Sequence, residues 1–276
     1  TEHRAQGALR CHYCDFHRPA NGPCASCGAR EHRVLGVGTE QLQQAVETCF
    51  PSARVARLDR DTASEEGVEE VLDRLRRRDV DVLVGTQMVT KGHDIPGVTL
   101  VGVVLADQSL AFPDFRASER TFQLLAQVAG RAGRAEASGE VVLQTFQPDH
   151  PAVRLAAAHD YESFYAVEVE DRREVGYPPF ARLVAVRVHA GSESEAKRAT
   201  QQLAGVAKRH PAVREGAVQV LGPAPAPLAR LRGRYHYRLL LKSSDRKLLR
   251  QVAALVAARI DEGLSPAHAT LDIDPL

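Results

Sequence analysis

Two Cys-x-x-Cys pairs, Cys11 with Cys14 and Cys24 with Cys27, stand nine residues apart near the start of the 276-residue chain. Each pair can turn two thiolates onto one tetrahedral ion, and Gly22, Pro23 and Gly28 permit the tight turns this requires. A disulfide scaffold would spread its cysteines along the chain, so these four read as metal ligands. With four thiolates and no open position, the expected ion is a structural Zn²⁺. His12 and His17 read as exposed bystanders. Cys49, in a helical stretch between Val46 and Phe50, reads as a small buried hydrophobe.

Two further segments carry phosphate chemistry. In Gly85-Thr86-Gln87-Met88-Val89-Thr90-Lys91-Gly92-His93-Asp94-Ile95-Pro96, an apolar strand runs directly into small, polar and glycine residues. That is the carboxyl end of a strand, where open α/β sheets place their ligands. In Gln127-Val128-Ala129-Gly130-Arg131-Ala132-Gly133-Arg134, two arginines three residues apart share one side of a helical turn, and glycines leave the approach clear. Such a pair suits the charge that develops on a transferring phosphoryl group. A third cluster, Arg230, Arg232, Arg234, Tyr235, His236, Tyr237 and Arg238, sets guanidinium groups beside aromatic rings. Phosphate contacts and base stacking fit it to single-stranded nucleic acid.

The elements that must position these residues follow from periodicity. Residues 1–32 are polar and rich in Cys, His, Gly and Pro, which suits a metal-held knuckle better than an apolar core. From Val34 to Gln147, short apolar runs alternate with helical stretches. Strands are expected at 33–38, 54–58, 80–84, 99–105 and 139–146, with Thr39 capping a helix over 40–50. Val68, Val71, Leu72 and Leu75 form one helix face, and a longer helix is expected over 117–131. Strands alternating with helices imply parallel pairing.

Residues 148–176 read as a helical connector ending before Tyr177-Pro178-Pro179. Beyond it lie a strand (183–188), a helix (193–209), strands at 217–221 and 235–242, a helix (246–260) and a strand (269–273). This β-α-β-β-α-β order is that of a ferredoxin-like sandwich. The Pro-Ala run Pro223–Pro227 reads as a stiff loop. Composition adds little, with 44% hydrophobic residues, 26% charged and a net charge of +1. That is ordinary globular protein with no global basic field, although arginine far outnumbers lysine. No apolar run approaches bilayer length and no charged-then-apolar leader opens the chain, so the expected location is cytoplasmic, with no membrane partner.

Taken together, these motifs resemble the carboxyl-terminal half of the primosomal protein N′ (PriA) family of bacterial replication-restart, superfamily-two DNA helicases. The resemblance rests on the cysteine pairs, residues 36–40, Arg57-Leu58-Asp59-Arg60-Asp61-Thr62, 85–94, 115–120 and 127–134. It extends through 159–162, Tyr177-Pro178-Pro179-Phe180 and residues 222–227. It implies a RecA-like second helicase lobe over 33–147, opened by a zinc knuckle over 1–32. The 148–176 connector would then lead to a small α/β domain over 177–276.

Under the resemblance, Gly85, Thr86, Gln87, Lys91, Gly92, Asp94 and Gln127 couple DNA contact to nucleotide state. Arg131 and Arg134 become arginine fingers reaching the γ-phosphate of ATP bound, with Mg²⁺, to a first lobe. The last domain would contact forked and single-stranded DNA, and single-strand-binding protein, other primosome proteins and the replicative helicase become partners. Arg246 and Arg250, four apart on a helix, are candidates for the acidic tail of single-strand-binding protein. The setting is the bacterial cytoplasm, at the nucleoid. Family members carry four Cys-x-x-Cys pairs interleaved on two ions, which would send Cys11 and Cys14 to one zinc and Cys24 and Cys27 to another. The four cysteines here can instead close a single site.

The chain contains no Gly-x-x-x-x-Gly-Lys-[Ser/Thr] cradle, and Ala106-Asp107-Gln108-Ser109 departs from the acidic cluster that family members often show. No ATP hydrolysis is therefore expected of these residues alone. Half of an active helicase and a non-catalytic fork-binding adaptor both fit. A zinc-knuckle RNA-binding protein accounts for the cysteines and the basic strand, but leaves residues 85–94 and 127–134 unexplained. Metal analysis of the purified chain should find zinc. Paired Cys→Ser changes at 11 and 14, or at 24 and 27, should release it, while Cys49→Ser should leave the metal content unchanged.

Overall fold

The structure is a computed structural model that describes residues 2–3, 8–10, 17–19, 22–23, 28, 38–59, 62, 67–90, 97–112, 114–130 and 139–275. Of the expected strand at 33–38, residues 33–37 lie outside them. Contacts divide the chain into two compact units, residues 33–167 and residues 1–32 together with 168–276.

The 33–167 unit is built from two strand-helix-strand repeats. β4 (Val55–Leu58) pairs parallel with β5 (Val82–Gly85), and α2 (Val68–Arg76) connects them. β6 (Leu100–Val103) pairs parallel with β7 (Glu140–Leu143) across α3 (Ala117–Ala129). Val71 and Leu72 of α2 are fully buried against Ala56 and Leu58, and Val68 and Leu75 complete the face that the periodicity marks. Around α3 the core is Phe122 and Leu125 with Ala106.

The segment 148–176 holds two helices, α4 (Pro151–Ala157) and α5 (Tyr161–Val175). α4 buries Ala152, Val153, Leu155 and Ala156 in the same core as α3. From α5, Phe164 stacks on Phe122 with ring centroids 4.2 Å apart and planes 8° from parallel.

α1 (Thr39–Cys49) departs from the sequence reading twice. Its first residue does not cap it, because Gly38 occupies the cap position and the Thr39 hydroxyl donates instead to Asp59 Oδ2 at 2.6 Å. A buried carboxylate needs donors more than an exposed helix end does. Cys49 is exposed, not buried, and α1 buries no residue fully.

In the other unit, β1 (Glu2–His3), β2 (Ala8–Arg10) and β3 (His17–Pro19) form a small antiparallel sheet. The four cysteines expected to bind metal, Cys11, Cys14, Cys24 and Cys27, lie outside the described residues. The carboxyl-terminal part runs β8 (Arg182–Ala190), α6 (Glu193–Lys208), α7 (Pro211–Arg214), β9 (Gln219–Leu231), β10 (Arg234–Ser243), α8 (Arg246–Asp261) and β11 (His268–Ile273). Its antiparallel sheet has the order β11-β8-β10-β9. Ser192 and Glu195 form a capping box that starts α6, and Asp245 accepts from the Lys247 and Leu248 N–H groups to start α8. Both helices cover one sheet face. Ala196, Leu203, Val252 and Val256 pack there against Val184, Val186, Val188, Leu239 and Leu241.

The Pro223–Pro227 run is not a loop. It lies within β9, the edge strand, where Ala224 pairs with Arg238 and Pro225 with Tyr237. An edge strand needs ladder donors on one side only, so prolines are tolerated in β9, where register shifts leave Pro223 and Pro227 between the paired positions. They also remove the N–H groups to which another strand would dock. Leu239→Ala, at a fully buried site, should cost about 2–5 kcal/mol. Leu255→Ala, on the exposed side of α8, should stay within about 0.5 kcal/mol. Denaturant unfolding of both variants measures the contrast.

Candidate nucleic-acid interface

In the 33–167 unit, parallel pairing puts the start of the glycine-threonine segment at a strand end. Gly85 closes β5 opposite Leu58 and is followed by a single 3-10 turn, Gln87–Thr90, whose Val89 N–H donates to the Thr86 carbonyl. The turn folds Val89 back over the strand end. A Cβ on Gly85 would lie 2.5 Å from the Leu58 carbonyl oxygen and would collide with the Val89 side chain. The glycine is therefore required by close packing of two strand ends. Thr86 and Gln87 are left exposed just beyond it. Gln127 is exposed in the last turn of α3, which ends at Ala129 with the Gly130 N–H bonded to the Ala126 carbonyl. Lys91, Gly92, Asp94, Arg131 and Arg134 lie outside the described residues.

Two buried acids hold strand ends in this unit. Asp59, just after β4, accepts from the Thr39 hydroxyl and from the Thr62 N–H, while its own N–H donates to Thr62 Oγ1. Arg57 Nε sits 3.3 Å from the Asp59 carboxylate, out of line for a hydrogen bond. Asp107, the acid in the Ala-Asp-Gln-Ser run, accepts from the Phe146 N–H. It joins the chain leaving β6 to the chain leaving β7. Sequence reading had no signal for Asp107; for Asp59 the signal was the Asp-x-x-Thr spacing, which favours a local side chain-to-backbone turn.

The basic-aromatic cluster of the carboxyl-terminal sheet is the tip of a hairpin. β9 and β10 are joined by Arg232 and Gly233, both with positive φ (50° and 75°). A two-residue loop of that kind matches the twist of its flanking strands. Arg230 lies over the Tyr235 ring at 5.4 Å, and Arg230, Arg232 and Arg234 are exposed around the tip. Tyr237 departs from its expected role. It is 7% exposed within the helix-side core, and its hydroxyl donates to Glu193 Oε1 at 2.9 Å. Burial, then that hydrogen bond, pushes its phenol up. No ring face is left there for a base.

The alternate residues of β10 face away from the helices. His236 pairs with His189, Arg238 with Arg187 and Lys242 with Leu183. On the far side of β8, His268 pairs with His189 and Thr270 with Arg187. Part of this face is closed: Leu183 and Ala185 are buried, and Lys242 donates to the Val175 carbonyl at the end of α5 and lies over the Tyr177 ring. The remainder carries histidines and arginines. Of these, His189, His268 and Arg187 escape sequence reading, because they join His236 only through pairing of strands distant in the chain. Arg246 and Arg250 are both exposed at the start of α8, one turn apart.

A profile of the "Helicase conserved C-terminal domain" matches residues 31–136, and one of the "Primosomal protein N C-terminal domain" matches residues 173–276. The chain is thus a helicase-lobe protein with a primosomal carboxyl-terminal domain. Three relatives named replication restart protein PriA match along essentially its whole length. That of Bacillus subtilis is 38% identical over 275 residues, 99% of this chain and 34% of the relative. That of Haemophilus influenzae is 38% identical over 276 residues, 100% and 37%. That of Treponema pallidum is 40% identical over 278 aligned positions, 100% and 41%. Along its whole length this chain is thus similar to the carboxyl-terminal part of the replication restart protein PriA. It spans 34–41% of the length of those relatives. A solved structure, "De novo designed protein Foldit4", overlaps 34% of the chain at 13% identity and a TM-score of 0.27, which carries no argument about the fold.

Gly85→Ala should destabilise the 33–167 unit by about 1–3 kcal/mol, because strand backbone rather than a flexible side chain blocks the added methyl. Thr86→Ala, on exposed surface, should leave stability within about 0.5 kcal/mol. Chemical denaturation separates the two.

Proposed function

We propose that this chain is the portion of a replication-restart helicase that contacts abandoned DNA forks and couples that contact to a nucleotide bound on a first lobe. The observation that carries the proposal is the succession, in one chain, of a conserved helicase lobe and a primosomal carboxyl-terminal domain. In this reading the turn after β5 and the residues after α3 form the lobe's working edge. Thr86 and Gln87 meet DNA or phosphate, Lys91, Gly92, Asp94 and Gln127 complete the coupling, and Arg131 and Arg134 supply charge to the γ-phosphate. ATP with Mg²⁺, when held by the first lobe, supplies the phosphoryl chemistry. This chain's residues orient and neutralise.

Four thiolates in two Cys-x-x-Cys pairs are a donor set that fits a structural zinc, placed beside the fork-contacting surface. The β11-β8-β10-β9 order, with both helices on one face, supports a ferredoxin-like carboxyl-terminal domain. Its hairpin tip and open face would contact single-stranded DNA. Arg246 and Arg250 would receive the acidic tail of single-strand-binding protein. Helicase reloading follows as the biological outcome, in the cytoplasm near the nucleoid. Among the described residues no helix is long and apolar enough to cross a membrane.

A DNA-stimulated ATPase assay tests the proposal. The 276-residue chain alone should bind forked DNA without hydrolysing ATP, and the full-length gene product should hydrolyse it. Arg131→Ala in that product should lower turnover by about 10³-fold or more with DNA affinity retained. If the full-length product shows no hydrolysis, it is a fork-binding adaptor instead.

A further inference from the structure

We infer that the cross-strand row His268–His189–His236, flanked by Arg234 and Arg187, is a proton-linked binding face for the phosphate backbone of single-stranded nucleic acid. The inference rests on reading this unit as one that contacts DNA, and it adds both a location and a dependence on pH.

The three histidines come from three strands and meet only through the ladders. His189 of β8 pairs with His236 of β10 on one side and with His268 of β11 on the other. Their ring centroids are 5.5 Å and 5.3 Å from that of His189. All three lie on the sheet face away from the helices, where His268 is exposed and His189 and His236 are half-buried. Arg234 Nη1 stands 3.1 Å from His189 Nδ1. A guanidinium can only donate, so Nδ1 accepts and His189 is neutral, with its proton on Nε2.

The charged groups around the row are mostly cations. Arg234 touches it, and Arg187 and Arg238 occupy the next row along β8 and β10. From β11, Asp272 lies four residues beyond His268 and is engaged by Arg187 at 3.0 Å. From β9, Arg230 is held over Tyr235, whose side chain packs on the opposite, helix-side core. On that same side, Glu193 at the start of α6 is taken by Tyr237. Burial first, then Arg234, then His236 and His268, hold His189 below the ordinary imidazole range. Adjacent imidazoles beside an arginine repel one another once protonated, so on the free face each added charge is disfavoured.

An arriving phosphate backbone reverses that balance, because each imidazolium then has an anion to face. Protonation of His189 also ends its acceptance from Arg234 and releases that guanidinium to the ligand. The ligand must be a polyanion lying across the surface, since the row runs across three strands, roughly 10 Å, and is open rather than pocketed. The sign follows from linkage. Binding raises the imidazole pKa values, so protons are taken up on binding and affinity climbs as pH falls through the bound-state values.

The test is fluorescence anisotropy of the intact 276-residue chain with labelled oligo(dT), at fixed ionic strength, from about pH 8 to about pH 6, the range around the imidazole pKa. Affinity should rise by about tenfold per pH unit for each proton taken up. The triple variant His189→Gln, His236→Gln, His268→Gln should bind like the parent at the alkaline end and stay flat as pH falls. Calorimetry of the unaltered chain in two buffers of different ionisation enthalpy should register proton uptake, a readout that needs no variant. Binding that is equal at all pH values, or a triple variant that keeps the parental slope, overturns the inference and leaves DNA contact by this unit standing. Absence of binding at every pH overturns the DNA-contact reading itself.

Discussion

The register between β8 and β10 is the constraint on which the carboxyl-terminal unit depends. Val186 stands opposite Leu239, Arg187 opposite Arg238 and His189 opposite His236. Side chains alternate along a strand, so a slip of one residue would turn the fully buried valines and leucines to solvent and drive Arg187 and His189 under the helices. Burying unpaired cations there would cost far more than the strand pairing returns. The apolar packing of α6 and α8 against one face therefore also sets the composition of the other. The hairpin turn at Arg232–Gly233 holds the neighbouring register at its tip, while the bulges along β9 absorb the prolines of the edge.

A different device organises the 33–167 unit. Each parallel pair must end at the same edge, and at two of those ends a buried carboxylate ties separate segments together. Asp59 binds the start of α1 to the chain leaving β4, and Asp107 binds the chain leaving β6 to that leaving β7. Bonds of this kind are made in partly dry surroundings, where leaving the carboxylate unsatisfied is expensive. They give rigid footing to loops that themselves carry exposed polar groups. The close contact at Gly85 does the same for the turn that follows β5.

The two units thus present polar groups in unlike ways. One offers backbone turns at strand ends, suited to gripping phosphate through short side chains and amides. The other offers the broad face of an antiparallel sheet, with imidazole and guanidinium groups in rows and a basic hairpin at its edge.

Much of this was legible in the sequence, because helical and strand periodicities of apolar residues report directly on burial. The strand-helix alternation, the face of α2 and the β-α-β-β-α-β order of elements all follow from spacing. The glycine-rich segments at 85–94 and 127–134 also stand out in the sequence, but residues 91–94 and 131–134 lie outside the described residues. What local pattern misjudged were positions decided by neighbours far along the chain. Pro223–Pro227 reads as a loop until β9 proves to be an edge, Thr39 reads as a cap until Asp59 claims its hydroxyl, and Cys49 reads as core until α1 turns it outward. Tyr237 belonged by sequence to a basic-aromatic cluster, and only the alternation of β10 against two helices took it into the core. The histidine row was invisible for the same reason: His189, His236 and His268 are separated by 32 residues or more in sequence, and cross-strand pairing, not sequence spacing, brought them within one ring contact.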